Sequence, residues 1–330
     1  MDLPLLTALF AAFALTLYVL LDGFDLGVGA LLLVQRDPRL RDQMISAITP
    51  TWDGNETWLV MAAIAVFAGF PIAYGILLPA LYVPLLIMLL ALGIRGVTFE
   101  FRVESAASRR KWDVAFGVAS LVAALAQGAA AGTVISGVRI ASNRFAGTVF
   151  DVLNPLALLT SCAFLAGYVM LGAGWLRLKA KDELRIFAGR ILRFAIPVYP
   201  ILIAAAWLAA VLAQPGVRTR FGEHLLALSL LATLILVSAF SALRSAASDS
   251  DLKPFLFGLL QSALAALVTW IVVYPDVVPF RLSLWNAASA APSQAFLLTG
   301  AGIVIPVILA YNAFGYRVFR GKTPAKGWEP

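Results

Sequence analysis

The sequence predicts an all-α integral membrane protein of about nine transmembrane helices, with its N-terminus outside and its C-terminus in the cytoplasm. Three observations carry this. The chain is 61% hydrophobic and 13% charged, with a mean hydropathy of +0.90, whereas a soluble domain would carry about a quarter charged residues. Apolar stretches of the roughly 20 residues that span a bilayer recur along its length. The basic residues alternate in density from one connection to the next. No segment shows the short alternating pattern of a membrane barrel, and residues 1–330 read as a single polytopic membrane domain.

In order, the apolar windows are 4–34, 51–72, 76–99, 112–137, 150–176, 187–213, 222–246, 255–275 and 295–318. The first is too long for a signal peptide's apolar core and lacks a basic lead and an Ala-x-Ala site, so it reads as a retained span. Pro84, Pro197, Pro200 and Pro306 each remove a backbone donor and are expected to kink their helices. Small-residue runs at 23–27, 128–132 and 167–174 suit close helix contacts. Trp175, Trp270 and Trp285 fall near expected membrane interfaces, and the longest outer connection runs from 276 to 294. No equal-length repeat is visible, although two groups of four helices plus a last one remain possible.

The charges set the orientation. Twenty of the 25 Lys and Arg residues fall in one set of connections, from Arg36, Arg39 and Arg41 through Arg95, Arg102 and Arg109 to Lys322 and Lys326. The opposite set holds Arg139, Arg144, Arg218, Arg220 and Arg281. The positive-inside rule places the first set in the cytoplasm. The net charge of +7 therefore reports topology, not nucleic acid.

Single residues exclude several chemistries. Cys162 is the one cysteine, so no intrachain disulfide can form, and His224 is the one histidine. Haem and copper sites lean on histidine, and most membrane haem sites need two. The chain is expected to hold no metal or haem by itself. It also lacks a nucleophile motif and a Gly-rich phosphate loop, so no catalytic residue is assigned.

The informative feature is the run YVLLDGFDLGVG at 18–29 followed by TWDGNETWLV at 51–60, which sets Asp22, Asp25, Asp53 and Glu56 in or beside two apolar segments. An ionisable group in a membrane helix costs about 2.5–3.5 kcal/mol on insertion scales. The functional reading is a route for protons or ions; the alternative is that the acids pair with Arg or Lys, or cap helix ends. Asp22 and Asp25 share one helix face, as do Asp53 and Glu56. Asp25 would lie about 13 Å inward from the end of its helix at Val34. Gly23, Gly27, Gly29 and Gly54 permit close approach, so the two faces are expected to form a polar cluster open to the cytoplasm, with Asn55 orienting a water.

With these residues in view, the chain resembles subunit II of cytochrome bd-type quinol oxidases, including the cyanide-insensitive subtype, along most of its length. LDGFDLGVG at 21–29 and WDGNETWLV at 52–60, with Gly23, Trp52, Gly54 and Trp58 as framework, look like the family's first two helices. GVTFEFR at 96–102, FDVLNPLALLT at 150–160, YPDVVP at 274–279, LSLWNAAS at 282–289 and YRVFRGK at 316–322 follow in the family's order. The resemblance implies a haem-free subunit beside a subunit I that carries two b-type haems and haem d. Quinol is the substrate of that complex, and oxygen is reduced to water with protons from the cytoplasm during aerobic respiration. It implies a bacterial inner-membrane heterodimer in contact with lipid and quinone, and leaves open whether small single-span accessory subunits join it. Subunit II then supports subunit I and helps conduct protons. Asp25 and Asp53 match the family's acidic positions; Asn286 stands where the pattern often has Asp, and Glu56 where some members have Gln. A proton-coupled secondary transporter and a purely structural partner are the rival readings of the bare residues.

Overall fold

The computed structural model describes residues 2–104 and 108–323. Helix α1 (Leu3–Leu32) starts on Asp2, whose carboxylate accepts from the Leu5 amide, with Pro4 in the first turn. Its last third is buried from Asp22 to Gly29. Helix α2 (Pro38–Ile48), capped by Asp37, lies between spans. Helix α3 (Trp52–Gly69) stops where Phe70 leaves helical geometry ahead of Pro71, the first residue of α4 (Pro71–Ala80). Proline disfavours helical backbone in the residue before it, which explains the break. Helices α5 (Tyr82–Glu104) and α6 (Arg109–Ser136) follow, then α7 (Pro155–Lys179), capped by Asn154, and α8 (Asp182–Ala213). The chain continues with α9 (Pro215–Glu223), α10 (Leu225–Ala247), α11 (Leu252–Val273), α12 (Leu284–Ala287) and α13 (Ala291–Val318).

Among the described residues eight helices are long and apolar enough to cross a membrane: α1, α5, α6, α7, α8, α10, α11 and α13. The expected span at 51–72 corresponds to α3, which is outside those eight: it is 18 residues long and opens on the polar run Trp52–Asp53–Gly54–Asn55–Glu56. The window expected at 76–99 is divided at Leu81 between α4 and α5. Pro197, Pro200 and Pro306 do lie inside helices. Pro84 instead sits in the first turn of α5, where its missing N–H has no helical partner to lose.

Helix α1 is the axis. It packs against α3, α6 and α7, and more lightly against α11 and α13. Helices α5 and α6 pair, α6, α7 and α8 stack side by side, and α10 pairs with α11. Two small hairpins depart from the all-helical expectation. Strand β1 (Ile140–Ala141) pairs with β2 (Arg144–Phe145), and β3 (Asp276–Val278) with β4 (Leu282–Ser283), both antiparallel. With α4 and α12 they enclose a small core of Phe70, Ile76, Val278 and Leu284 at one end of the bundle. The other end carries α2, where the Trp175 indole of α7 donates to the Ala47 carbonyl at 2.9 Å. Trp175 is thus a buried helix tie. Cys162 is exposed on the outside of α7.

The small-residue runs account for the close approach of α1 and α7. A Cβ on Gly27 would lie 1.7 Å from the Tyr168 carbonyl oxygen, and one on Gly172 would lie 2.5 Å from the Val28 nitrogen. Backbone, not a flexible side chain, fills the space, so neither position can yield locally. Gly27→Ala is expected to destabilise the purified protein by at least the ~1–3 kcal/mol typical of overpacking and to lower its thermal midpoint. Gly93→Ala, whose new Cβ meets nothing within 4 Å, should leave the midpoint unchanged or slightly raised. Equal midpoints for both variants would show that the α1–α7 contact is not tight.

Candidate functional site

The first-helix acids and the α3 acids converge on a residue from a third helix. Arg95 of α5 is fully buried and reaches Asp22 Oδ1 through Nη1 at 2.6 Å and Glu56 Oε2 through Nη2 at 2.8 Å. One guanidinium thereby ties α1, α3 and α5 together. By sequence Arg95 counts among the cytoplasmic connections; the structure puts it inside the bundle instead. A lone Arg within the window 76–99 was the available signal, because a buried charge demands a partner.

Asp25 is different. It is fully buried, and the hydrogen bond it receives comes from an amide: Asn55 Nδ2 donates to Asp25 Oδ2 at 2.8 Å. Its other oxygen, Oδ1, is buried without a hydrogen-bond partner among the described residues. The Asn55 carbonyl accepts from the Tyr316 hydroxyl of α13 at 2.7 Å. Asp25 can therefore gain or lose a proton without breaking an ion pair, which Asp22 and Glu56 cannot do.

Asp53 does not join this cluster. It lies exposed in the first turn of α3, where a negative charge suits the helix dipole. The expected four-acid cluster is thus three acids, one amide and one arginine, because the buried side of α3's first turns is carried by Asn55 and Glu56. The framework residues surround them. Trp52 stacks on Phe99 with centroids 4.6 Å apart, and the Arg95 guanidinium lies 5.9 Å from its ring. Trp58 is buried edge-on to Phe13. A Cβ on Gly23 would press on the Tyr168 ring at 2.7 Å, and one on Gly54 would meet Asn312 Oδ1 at 2.7 Å. Beside the acids, Gln127 of α6 donates to Tyr18 and accepts from Tyr168, joining α1, α6 and α7.

Two further ionic clusters were not anticipated. Arg102 of α5 pairs with Asp113 of α6 and Asp42 of α2, and Arg41 adds a 3.4 Å contact to Asp113. At the start of α11, Asp251 accepts from Arg185 at 2.8 Å and from Lys322 at 2.7 Å. Burial opposes ionisation of Asp251, but those bonds outweigh it and hold the carboxyl below its ordinary range. Sequence spacing gave little warning of either, since the partners lie on different elements.

His224 lies at the junction of α9 and α10, where its side chain makes no capping hydrogen bond. Helix α10 packs on α8, α9 and α11, away from the helices that carry the acids. Among the described residues no group of three or more His, Cys, Asp or Glu side chains could hold a metal ion.

Comparison with known proteins gives a consistent result. The sequence model of the family described as cytochrome bd terminal oxidase subunit II matches residues 3–319. The chain is similar to subunit 2 of the Escherichia coli K12 cytochrome bd-I ubiquinol oxidase, at 27% identity over 91% of this chain and 89% of that one. It is also similar to subunit 2 of the Bacillus subtilis cytochrome bd ubiquinol oxidase, at 29% identity over 94% and 93%. Its fold matches a chain of the bd oxidase of Geobacillus thermodenitrificans with a TM-score of 0.78, covering 97% of this chain and 99% of that one at 16% identity.

The Arg95 bridge yields a stability test. Arg95→Met strands Asp22 and Glu56 and is expected to cost about 3–5 kcal/mol, the usual penalty for breaking a buried pair from one side. Adding Asp22→Asn and Glu56→Gln removes the stranded charges and should recover most of the loss in thermal midpoint. A single variant as stable as the parent would show that the bridge does not hold the three helices.

Proposed function

Because this chain belongs to the family of cytochrome bd terminal oxidase subunit II, we propose that it supports the haem-bearing subunit I and helps carry protons from the cytoplasm to the site of oxygen reduction. It is one subunit of a quinol:oxygen oxidoreductase in the bacterial inner membrane, and the complex supplies a subunit I as its partner. The observation that carries the proton reading is Asp25: a buried carboxylate with one oxygen held by an amide and, among the described residues, no partner for the other and no ion pair to break. Making two waters from one oxygen molecule consumes four electrons and four protons, and a buried acid of this kind is suited to passing the protons one at a time.

The division of labour among the acids follows from their partners. Asp25 is assigned the carrier. Asp53, exposed at the start of α3, is assigned to proton collection at the surface. Asp22 and Glu56 are assigned to the Arg95 bridge, where their charge is structural. The donor set does not fit a haem, since the chain's one histidine is half-buried at the α9–α10 junction. No step is therefore assigned to such a group within this subunit.

The orientation is read with the N-terminus outside. The C-terminal tail that ends this reading, Lys326 included, lies outside the described residues; Arg317, Arg320 and Lys322 belong to the same end as α2 through the contacts of Lys179 and Asp251. The hairpin at 140–145 lies at the opposite end. A reporter inserted at Asn143 and one fused at the C-terminus should report opposite sides of the membrane; the same side for both would overturn the orientation.

Turnover per haem-loaded complex tests the proton assignment. Asp25→Asn keeps size and hydrogen bonding but cannot carry a proton, so it should slow quinol oxidation by an order of magnitude or more while leaving assembly intact. Asp53→Asn should slow it less, because bulk water reaches that position by other routes. In the same preparation His224→Ala should retain every haem signal. Normal turnover for Asp25→Asn over a range of pH would remove the carboxylate from the mechanism, and loss of a haem signal in His224→Ala would overturn the haem-free reading.

A further inference from the structure

We infer that Tyr316 is a positioning residue for proton transfer, holding Asp25 in register through the Asn55 amide. The inference rests on the reading of Asp25 as the proton carrier. Its geometry is a three-member chain across three helices: the Tyr316 hydroxyl of α13 donates to Asn55 Oδ1 at 2.7 Å, and Asn55 Nδ2 of α3 donates to Asp25 Oδ2 of α1 at 2.8 Å. Asn55 and Asp25 are both buried.

An amide has one donating and one accepting end, so what meets one end decides what the other presents. A phenol can meet either end of an amide, but an ionised Asp25 selects the N–H end, and the phenol, donating to the Oδ1 left on the far side, holds that orientation. The reversed amide would push a carbonyl oxygen against the carboxylate whenever Asp25 is ionised. Tyr316 therefore occupies Asp25 Oδ2 at one remove and leaves Oδ1, which has no partner among the described residues, as the atom that exchanges a proton. One proton arrives at Oδ1 and one leaves from it. Asn55 and Tyr316 carry none.

The position of Tyr316 is itself built. Helix α13 is the least buried of the eight spanning helices, so its body fixes the tyrosine only weakly. Its end is tied down instead. Lys179 Nζ donates to the Phe319 carbonyl at 2.6 Å, the Thr323 amide donates to the Lys179 carbonyl at 2.8 Å, and Lys322 reaches Asp251. The Tyr316 ring also stands edge-on to Trp175, 5.9 Å between centroids, and Trp175 is tied to α2. A tyrosine needed only to fill space would require none of its hydroxyl geometry.

The test uses the assembled oxidase with Tyr316→Phe, Asp25→Asn and the double variant, each normalised to haem content. Tyr316→Phe should lower kcat about fivefold, the effect of one lost hydrogen bond of ordinary strength, with the KM for quinol unchanged. The double variant should be no slower than Asp25→Asn alone, because both act on one carboxylate. Normal kcat for Tyr316→Phe beside a slow Asp25→Asn would overturn this inference and leave the proton-carrier reading standing, as would a double variant slowed by the product of the two single effects. Normal kcat for Asp25→Asn would overturn that reading, and the inference with it.

Discussion

One buried guanidinium organises the centre of this protein. Arg95 has both its terminal nitrogens committed to carboxylates on two other helices, in a region where water cannot solvate a stranded charge. The arrangement fixes more than proximity. A guanidinium is planar and its donors diverge at set angles, so Asp22 and Glu56 must arrive from defined directions, which sets the rotation of α1 and α3 about their own axes. That rotation points Asp25 and Asn55 toward each other. The ion pairs thus place a carboxylate that is not itself paired with the arginine.

The glycine contacts act on the same helix from its other side. Helix α1 is held against α7 by backbone meeting backbone at Gly27 and Gly172, while its polar face meets α3 and α5. A helix fixed by charge on one face and by contact distance on the other has little freedom to slide or turn. Tyr18 and Asp22 lie one turn apart on it, and the Gln127 bridge between Tyr18 and Tyr168 extends the polar contacts toward α6 and α7.

Much of this was legible in the chain, and the rest failed for identifiable reasons. Helical class and most spans followed from hydropathy alone, since the bilayer length sets a large, simple signal. The 51–72 and 76–99 windows do not mark the helix boundaries because hydropathy is blind to backbone geometry: Phe70 ends α3 ahead of Pro71, and a second break falls at Leu81. Asp22, Asp25, Asn55 and Glu56 were found together because spacing on two neighbouring helices is readable. Arg95 was missed as a member since its partners lie 73 and 39 positions away, and a basic residue near a span end reads first as topology. Asp53 differs from Glu56 only in which side of a helix start meets a neighbour, and that is decided by packing. Tyr316 opens the YRVFRGK run at 316–322, but nothing in that run says what its hydroxyl meets, which depends on where α13 docks.

The reach of the Tyr316–Asn55 bond carries a consequence for how the subunit is made. The two residues are 261 positions apart, and α13 is the final long helix of the chain. Translation delivers residues in order, so Asp25 and Asn55 are already in the nascent protein long before the phenol that orients them has been synthesised. The polar centre is therefore completed from the far terminus. A polypeptide released before α13 would contain every acid of the cluster and the arginine that binds two of them, yet lack the partner that holds the amide.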